Sequence, residues 1–135
     1  MKQKYLEAFM DMAERFSLTS EAKRLKVACF IVKNGNIISL GINGQPPGWP
    51  WETCENLNGE TLSTVRHAED AALQKLWKST ETSEGTCMII THSPCLQCAI
   101  KIKEAGISKI YYRHQYRSRE GIEYLSRNGI ITEVV

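Results

Sequence analysis

Cys87-Met-Ile-Ile-Thr-His-Ser-Pro-Cys-Leu-Gln-Cys98 is the stretch that decides the fold. Cys87 to Thr91 is a short apolar run with the pattern of a strand. Ser93-Pro94 ends it, and proline with serine before it suits a helix start, so a helix is expected from about Cys95 to Glu104. Gly106 stops that helix and Ile107 to Tyr112 reads as the next strand. Strand, helix and strand in this order make a β-α-β unit, which closes only with parallel strands.

Working outward, Arg119 to Arg127 reads as a helix closed by Asn128-Gly129, and Ile130 to Val135 as a final strand. Upstream, a helix is expected from about Val65 to Lys78, with Ser63 or Thr64 able to cap it. Its Ala68, Ala71, Ala72 and Leu76 form a narrow apolar face that permits close approach to a sheet. Val27 to Val32 and Ile37 to Leu40 flank Lys33-Asn34-Gly35, and Asn-Gly between two such runs is a strong hairpin signal. Leu6, Phe9, Ala13 and Phe16 recur at helical spacing, so an amphipathic helix opens the chain. The order α-β-β-α-β-α-β-α-β implies an α/β fold, a mostly parallel sheet with helices on both faces. Between Gly41 and Gly59 lie four glycines and three prolines, too many for a regular element. A loop this long inside a domain usually serves function, and Trp49, Pro50 and Trp51 can anchor it, so it is expected to line the site.

The chain has 135 residues, the length of one domain, with 42% hydrophobic and 24% charged residues, which excludes a disordered chain. Seventeen Lys and Arg against fifteen Asp and Glu leave a net charge of +2, which argues against nucleic acid or an anionic membrane as partner. No apolar run is long enough to span a membrane, and no secretory signal is visible after Met1-Lys2-Gln3-Lys4, so a cytoplasmic setting is expected. Five cysteines without disulfide-scaffold density point to reduced thiols or a metal.

The residues that carry chemistry sit at two helix starts, His67-Ala68-Glu69 and Pro94-Cys95-Leu96-Gln97-Cys98. Cys95 and Cys98 share a helix face, and a helix N-terminus stabilises thiolates, the form that zinc binds. With His67 they make three ligands of a tetrahedral metal, the catalytic pattern that leaves a fourth position for water. A carboxylate in reach of that water can take its proton and pass it on, which is the role open to Glu69. A lone Cys-x-x-Cys is often a redox pair or half a structural site, and a lone His at a helix start is often a cap. The joint pattern His-x-Glu and Pro-Cys-x-x-Cys is a known signature of zinc deaminases. Cys29, Cys54 and Cys87 read as core or loop thiols, although Cys54 or His92 could fill the fourth position and make the zinc structural.

With these residues in place the chain resembles the cytidine deaminase superfamily, and within it the deoxycytidylate (dCMP) deaminases. The resemblance rests on Lys26 to Val32, Gly41-Ile42-Asn43-Gly44-Gln45-Pro46, Cys54-Glu55, the two motifs above and Ile110-Tyr111-Tyr112, and spans residues 12 to 135. It implies one domain over residues 1–135 with a three-layer α/β/α fold on a five-stranded mixed sheet, and zinc held by His67, Cys95 and Cys98. It further implies hydrolysis of dCMP to dUMP and ammonia, supplying dUMP for thymidylate synthesis, with an activated water attacking C4 and Glu69 moving protons to N3 and the leaving amine. Backbone N–H groups near Ala68 and Cys95 would orient base and nucleophile. Asn43 resembles the residue that bonds the sugar, Ser20 aligns near the 5′-phosphate site, and Tyr112 and Trp49 to Trp51 are candidate pocket walls. Regulated members bind dCTP and dTTP around the Gly41 to Gly44 region and form hexamers, so a homo-oligomer is implied, while Ile42, where tyrosine is usual, speaks against assuming those effectors here. The chain departs from the family at Ala28, Ile42 and Ala71, where Gly, Tyr and Asn are usual. Six Lys or Arg between Lys101 and Arg119 read either as a solvated face or as a phosphate pocket at a subunit boundary. With Tyr111, Tyr112 and Tyr116 they leave open a deaminase acting on a base in tRNA or single-stranded DNA. A non-catalytic zinc-stabilised binding module is the remaining alternative.

Overall fold

The Asn34-Gly35 signal becomes a two-residue turn: both residues have positive φ, 50° and 79°. That geometry matches the twist of the strands it joins. β1 (Ala28–Lys33) and β2 (Asn36–Ile42) accordingly pair antiparallel from Lys33 opposite Asn36 to Ala28 opposite Ile42. The computed structural model describes residues 1–135. Around the hairpin lie α1 (Gln3–Ser17), α2 (Ala68–Trp77), β3 (Cys87–His92), α3 (Leu96–Glu104), β4 (Lys109–His114), α4 (Glu120–Arg127) and β5 (Ile131–Val134). No helix is long and apolar enough to cross a membrane.

The five strands form one sheet in the order β2-β1-β3-β4-β5. β1 runs antiparallel to both of its neighbours, whereas β3, β4 and β5 are parallel. The sheet is therefore mixed, not mostly parallel as the alternation of elements implied. The reason is topological: the connection through α2 carries the chain across β1, so β3 is parallel to β2 and both flank the reversed strand.

Strand alternation assigns the two faces. Ala28, Phe30 and Val32 of β1, Ile89 of β3 and Tyr111 of β4 pack with Leu6, Met10 and Ala13 of α1. Their neighbours Cys29, Ile31, Met88, Ile90, Ile110 and Tyr112 face the opposite cluster, where Ala68, Ala72 and Leu76 of α2, Ala99 and Ile102 of α3 and Ile122 and Leu125 of α4 complete the core. One helix covers one face and three cover the other, a three-layer α/β/α arrangement.

Two helix starts differ from the sequence reading. α2 begins at Ala68 rather than Val65, with His67 in the capping position and neither Ser63 nor Thr64 serving there. Bridges between Glu55 and Thr61 and between Gly44 and Arg66 hold the preceding residues extended. α3 begins at Leu96 with Cys95 as its cap, so Pro94 lies just outside the helix.

The small face of α2 sits directly on β2. A Cβ on Gly41 would lie 2.6 Å from the Ala68 carbonyl oxygen and the Ala72 nitrogen, and 2.8 Å from the Ala71 Cβ. Ser39 Oγ reinforces the contact by donating to the Ala72 carbonyl at 2.6 Å. Replacing Gly41 with Ala is expected to destabilise the fold by about 1–3 kcal/mol through overpacking. Gly44→Ala, where a Cβ meets nothing within 4 Å, is the control. Thermal unfolding should show a lower Tm for the first and an unchanged Tm for the second.

Candidate metal centre and pocket

The N-termini of α2 and α3 point at a common spot. His67 and Cys95 are the capping residues, both extended (φ −73°, ψ 158° and φ −71°, ψ 171°), and Cys98 lies one turn into α3. His67 Nδ1 lies 3.2 Å from Cys98 Sγ and 3.6 Å from Cys95 Sγ, and the three donor atoms are all within 4.8 Å of one another. Tetrahedral zinc, with bonds of about 2.0–2.1 Å to nitrogen and about 2.3 Å to sulfur, requires an N···S separation of about 3.6 Å. The donor set fits that ion in both chemistry and spacing.

Neither residue proposed for a fourth position joins the group. Cys54 Sγ lies 3.5 Å from the Glu52 carbonyl oxygen. His92 Nδ1 is 3.0 Å from Thr91 Oγ1, and its ring packs against His114 with centroids 4.8 Å apart and planes tilted by 36°, the two being opposite each other on β3 and β4. The set thus has three protein ligands, the pattern of a catalytic rather than a closed structural site.

The electrostatics agree. A hydrogen bond from Cys98 and a second from His67 hold the Cys95 thiol down to about 4. Its hydrogen-bonded thiolate pushes the Cys98 thiol far up, so the two sulfurs share one proton. The hydrogen bond to Cys95 raises the pKa of His67. Glu69, only 4% exposed, forms no ion pair and is pushed up to about 7 by burial, the His67 charge only partly opposing this. A carboxyl divided between its two forms near neutral pH is suited to accept a proton and return it.

A pocket of about 450 Å³ opens over these groups, lined by His67, Glu69 and Cys95 and, around them, by residues of four connecting segments. Ala68 and Asn43 line it as the sequence implied, the long loop contributes Cys54 and Glu55, and Thr61 follows just beyond that loop. Other expected residues lie elsewhere. Ser20 is buried, its Oγ donating to the Asn43 carbonyl at 2.7 Å and accepting the Ala22 N–H at 3.2 Å. Tyr112 belongs to the core and donates from its hydroxyl to Gln115 Oε1 at 3.3 Å. Trp49 and Trp51 pack edge to face at 5.6 Å and line a separate depression with Leu62.

Of the six basic residues between 101 and 119, only Arg117 lines the pocket. Lys101 pairs with Asp70, Lys109 with Glu133 and Arg113 with Asp11, while Arg119 donates to Gln115 Oε1. A second guanidinium comes from Arg24, which sequence reasoning missed. The available signal was the short basic run Lys23-Arg24-Leu25-Lys26.

The cytidine and deoxycytidylate deaminase zinc-binding region matches residues 3–114. The chain belongs to this family. It superposes on the crystal structure of a dCMP deaminase from the cyanophage S-TIM5, in complex with dCMP and dUMP, with a TM-score of 0.97 and 44% identity, covering 100% of this chain and 99% of that one. ComE operon protein 2 of Bacillus subtilis is 30% identical over 94% of this chain and 69% of its own length. The deoxycytidylate deaminase of Saccharomyces cerevisiae is 31% identical over 90% of this chain, which spans only 42% of the yeast protein.

A deaminase of this family is expected to carry about one zinc per chain. His67→Ala or Cys98→Ser should bring the zinc content, read by mass spectrometry, to near zero, whereas Glu69→Gln should leave it intact.

Proposed function

We propose that this chain is a dCMP deaminase, a single domain over residues 1–135 that hydrolyses the 4-amino group of dCMP to give dUMP and ammonia, and so supplies dUMP for thymidylate synthesis. One observation carries the reading: the buried Glu69, two members of a three-ligand donor set, and Arg24 and Arg117 line one pocket. The full-length likeness to an enzyme crystallised with dCMP and dUMP supports it.

In this reading His67, Cys95 and Cys98 hold zinc, which when bound supplies an acidified water at the open position. Glu69 takes a proton from the attacking water and delivers it to ring N3, then takes the proton of the new C4 hydroxyl and passes it to the amine as the C4–N bond breaks and C4=O forms. Its burial and its pKa of about 7 support both halves of that exchange. The free N–H groups at the starts of α2 and α3, near Ala68 and Cys95, orient the base and the nucleophile. Arg24 and Arg117 supply the positive charge that a 5′-phosphate requires.

The alternatives find less support. A groove for tRNA or single-stranded DNA needs unpaired basic residues in line, and Lys101, Lys109 and Arg113 are each engaged by a carboxylate. A non-catalytic module gives no reason to bury Glu69 without an ion pair, which costs stability. Assembly into a homo-oligomer, hexameric as in regulated members, and a cytoplasmic setting belong to the proposal, whereas dCTP and dTTP are not assigned as effectors, because Ile42 stands where regulated members have tyrosine.

Ammonia release from a panel of cytosine bases, nucleosides and nucleotides tests the reading. dCMP should be turned over in preference to deoxycytidine, and equal kcat/KM for the two would reject the assignment. Glu69→Gln should lower kcat by about 10²-fold or more, and Arg24→Ala or Arg117→Ala should raise KM for dCMP by about tenfold.

A further inference from the structure

The segment between α1 and β1 forms one wall of the pocket through Ala22, Arg24, Leu25 and Val27, yet residues 21–26 make no backbone-to-backbone hydrogen bond. Side chains from elsewhere hold it instead. Asn43 Oδ1 accepts the Val27 N–H at 2.9 Å, and Asn43 Nδ2 donates to the Leu25 carbonyl at 2.7 Å, fixing the end that enters β1. The middle is fixed by one carboxylate. Glu55 Oε2 accepts the N–H groups of Lys23 at 3.0 Å and Arg24 at 3.3 Å, and Oε1 also accepts from Lys23 at 3.2 Å.

Glu55 itself comes from the long loop, where it is bridged to Thr61. Arg24 Nη1 reaches across to Thr61 Oγ1 at 3.5 Å. The backbone of Arg24 is therefore gripped by Glu55 and its guanidinium rests near Glu55's bridge partner. Glu55, Thr61 and Arg24 all line the pocket. A surface arginine with no such latch would sample many rotamers, and ordering it on a ligand would cost affinity.

We propose that Glu55 is a positioning residue for recognition of the substrate's anionic group: it latches the 21–26 segment as a wall of the pocket and presents Arg24 in place. This rests on the reading that Arg24 meets the 5′-phosphate of a nucleoside monophosphate. A carboxylate is suited to this because its two oxygens can take two adjacent backbone N–H groups at once, charge-assisted, where a neutral side chain takes one.

Steady-state kinetics of the zinc-loaded full chain on dCMP and deoxycytidine separate this role from a merely structural one. Glu55→Ala is expected to raise KM for dCMP by about tenfold relative to KM for deoxycytidine, with the ratio of the two kcat values moving less. Glu55→Gln should fall between it and the parent, which also guards against a folding defect in the alanine variant. Because Glu55 acts through Arg24, the double variant with Arg24→Ala should be no worse on dCMP than Arg24→Ala alone. Equal effects of Glu55→Ala on both substrates, or additive losses in the double variant, would overturn the latch. If neither Arg24→Ala nor Arg117→Ala moves the dCMP to deoxycytidine ratio, the phosphate reading falls and the latch with it. If Arg24→Ala moves that ratio and Glu55→Ala does not, only the latch falls.

Discussion

The structure depends on bringing two helix N-termini within a few ångströms of each other. His67 caps α2 and Cys95 caps α3, so two of the three metal donors occupy the residue at which extended backbone becomes helix. At that position a side chain lies over the free end of the helix and not along its flank, where the unsatisfied N–H groups and the positive end of the dipole both favour an electron-rich ligand. The arrangement works only if both helices lie on one face of the sheet with their starts at the same edge. The mixed topology provides this. β2 and β3 are parallel to each other across the reversed β1, and the chain turns from each into a helix on the same face. Gly41 lets α2 lie against β2 at a distance no side chain would allow.

Convergence of that kind is electrostatically costly until a cation relieves it. Burial and the Cys95 thiolate both make Glu69 harder to ionise, and the Cys95 thiolate, burial and Glu69 do the same to Cys98, whose hydrogen bond in turn favours the Cys95 thiolate. The thiols respond by sharing a proton and Glu69 by holding one near neutrality. The same burial that would make this a poor structural site makes Glu69 a useful proton carrier, since a fully solvated glutamate would be ionised and a weak base at pH 7.

The regular elements were legible in the sequence because they depend on local signals. Asn34-Gly35 specified the hairpin, Gly106 and Asn128-Gly129 the helix ends, and Ala68, Ala71 and Ala72 the close-packed helix face. The donor set was legible because its two halves sit at recognisable helix starts, three residues or fewer apart within each. What could not be read was whatever depends on pairing between distant irregular segments. The start of α2 moved because Arg66 is bridged to Gly44 and Thr61 to Glu55. The tryptophans, read as pocket walls, pair with each other in a separate depression. Three of the six basic residues from 101 to 119 are tied into ion pairs with α1, α2 and β5, and only Arg117 reaches the pocket, which it shares with an Arg24 almost a hundred positions away.

Asn43 shows where chemistry and specificity part company in this fold. By resemblance it is a sugar contact, and it does line the pocket, but its side chain is already committed to Val27 and Leu25, leaving one amide hydrogen and one lone pair for a ligand. Its backbone carbonyl accepts the Ser20 hydroxyl as well. A single amide thus joins the end of β2, the start of β1 and the segment that carries Arg24, so it shapes the pocket before it touches anything bound there. The reacting groups sit on rigid element ends, where a small displacement would ruin them, while the mouth is built from loops tied together by a few polar side chains. Changes of substrate within such a fold are therefore easiest at those ties: altering one re-aims an entire wall and leaves the donor set and Glu69 undisturbed.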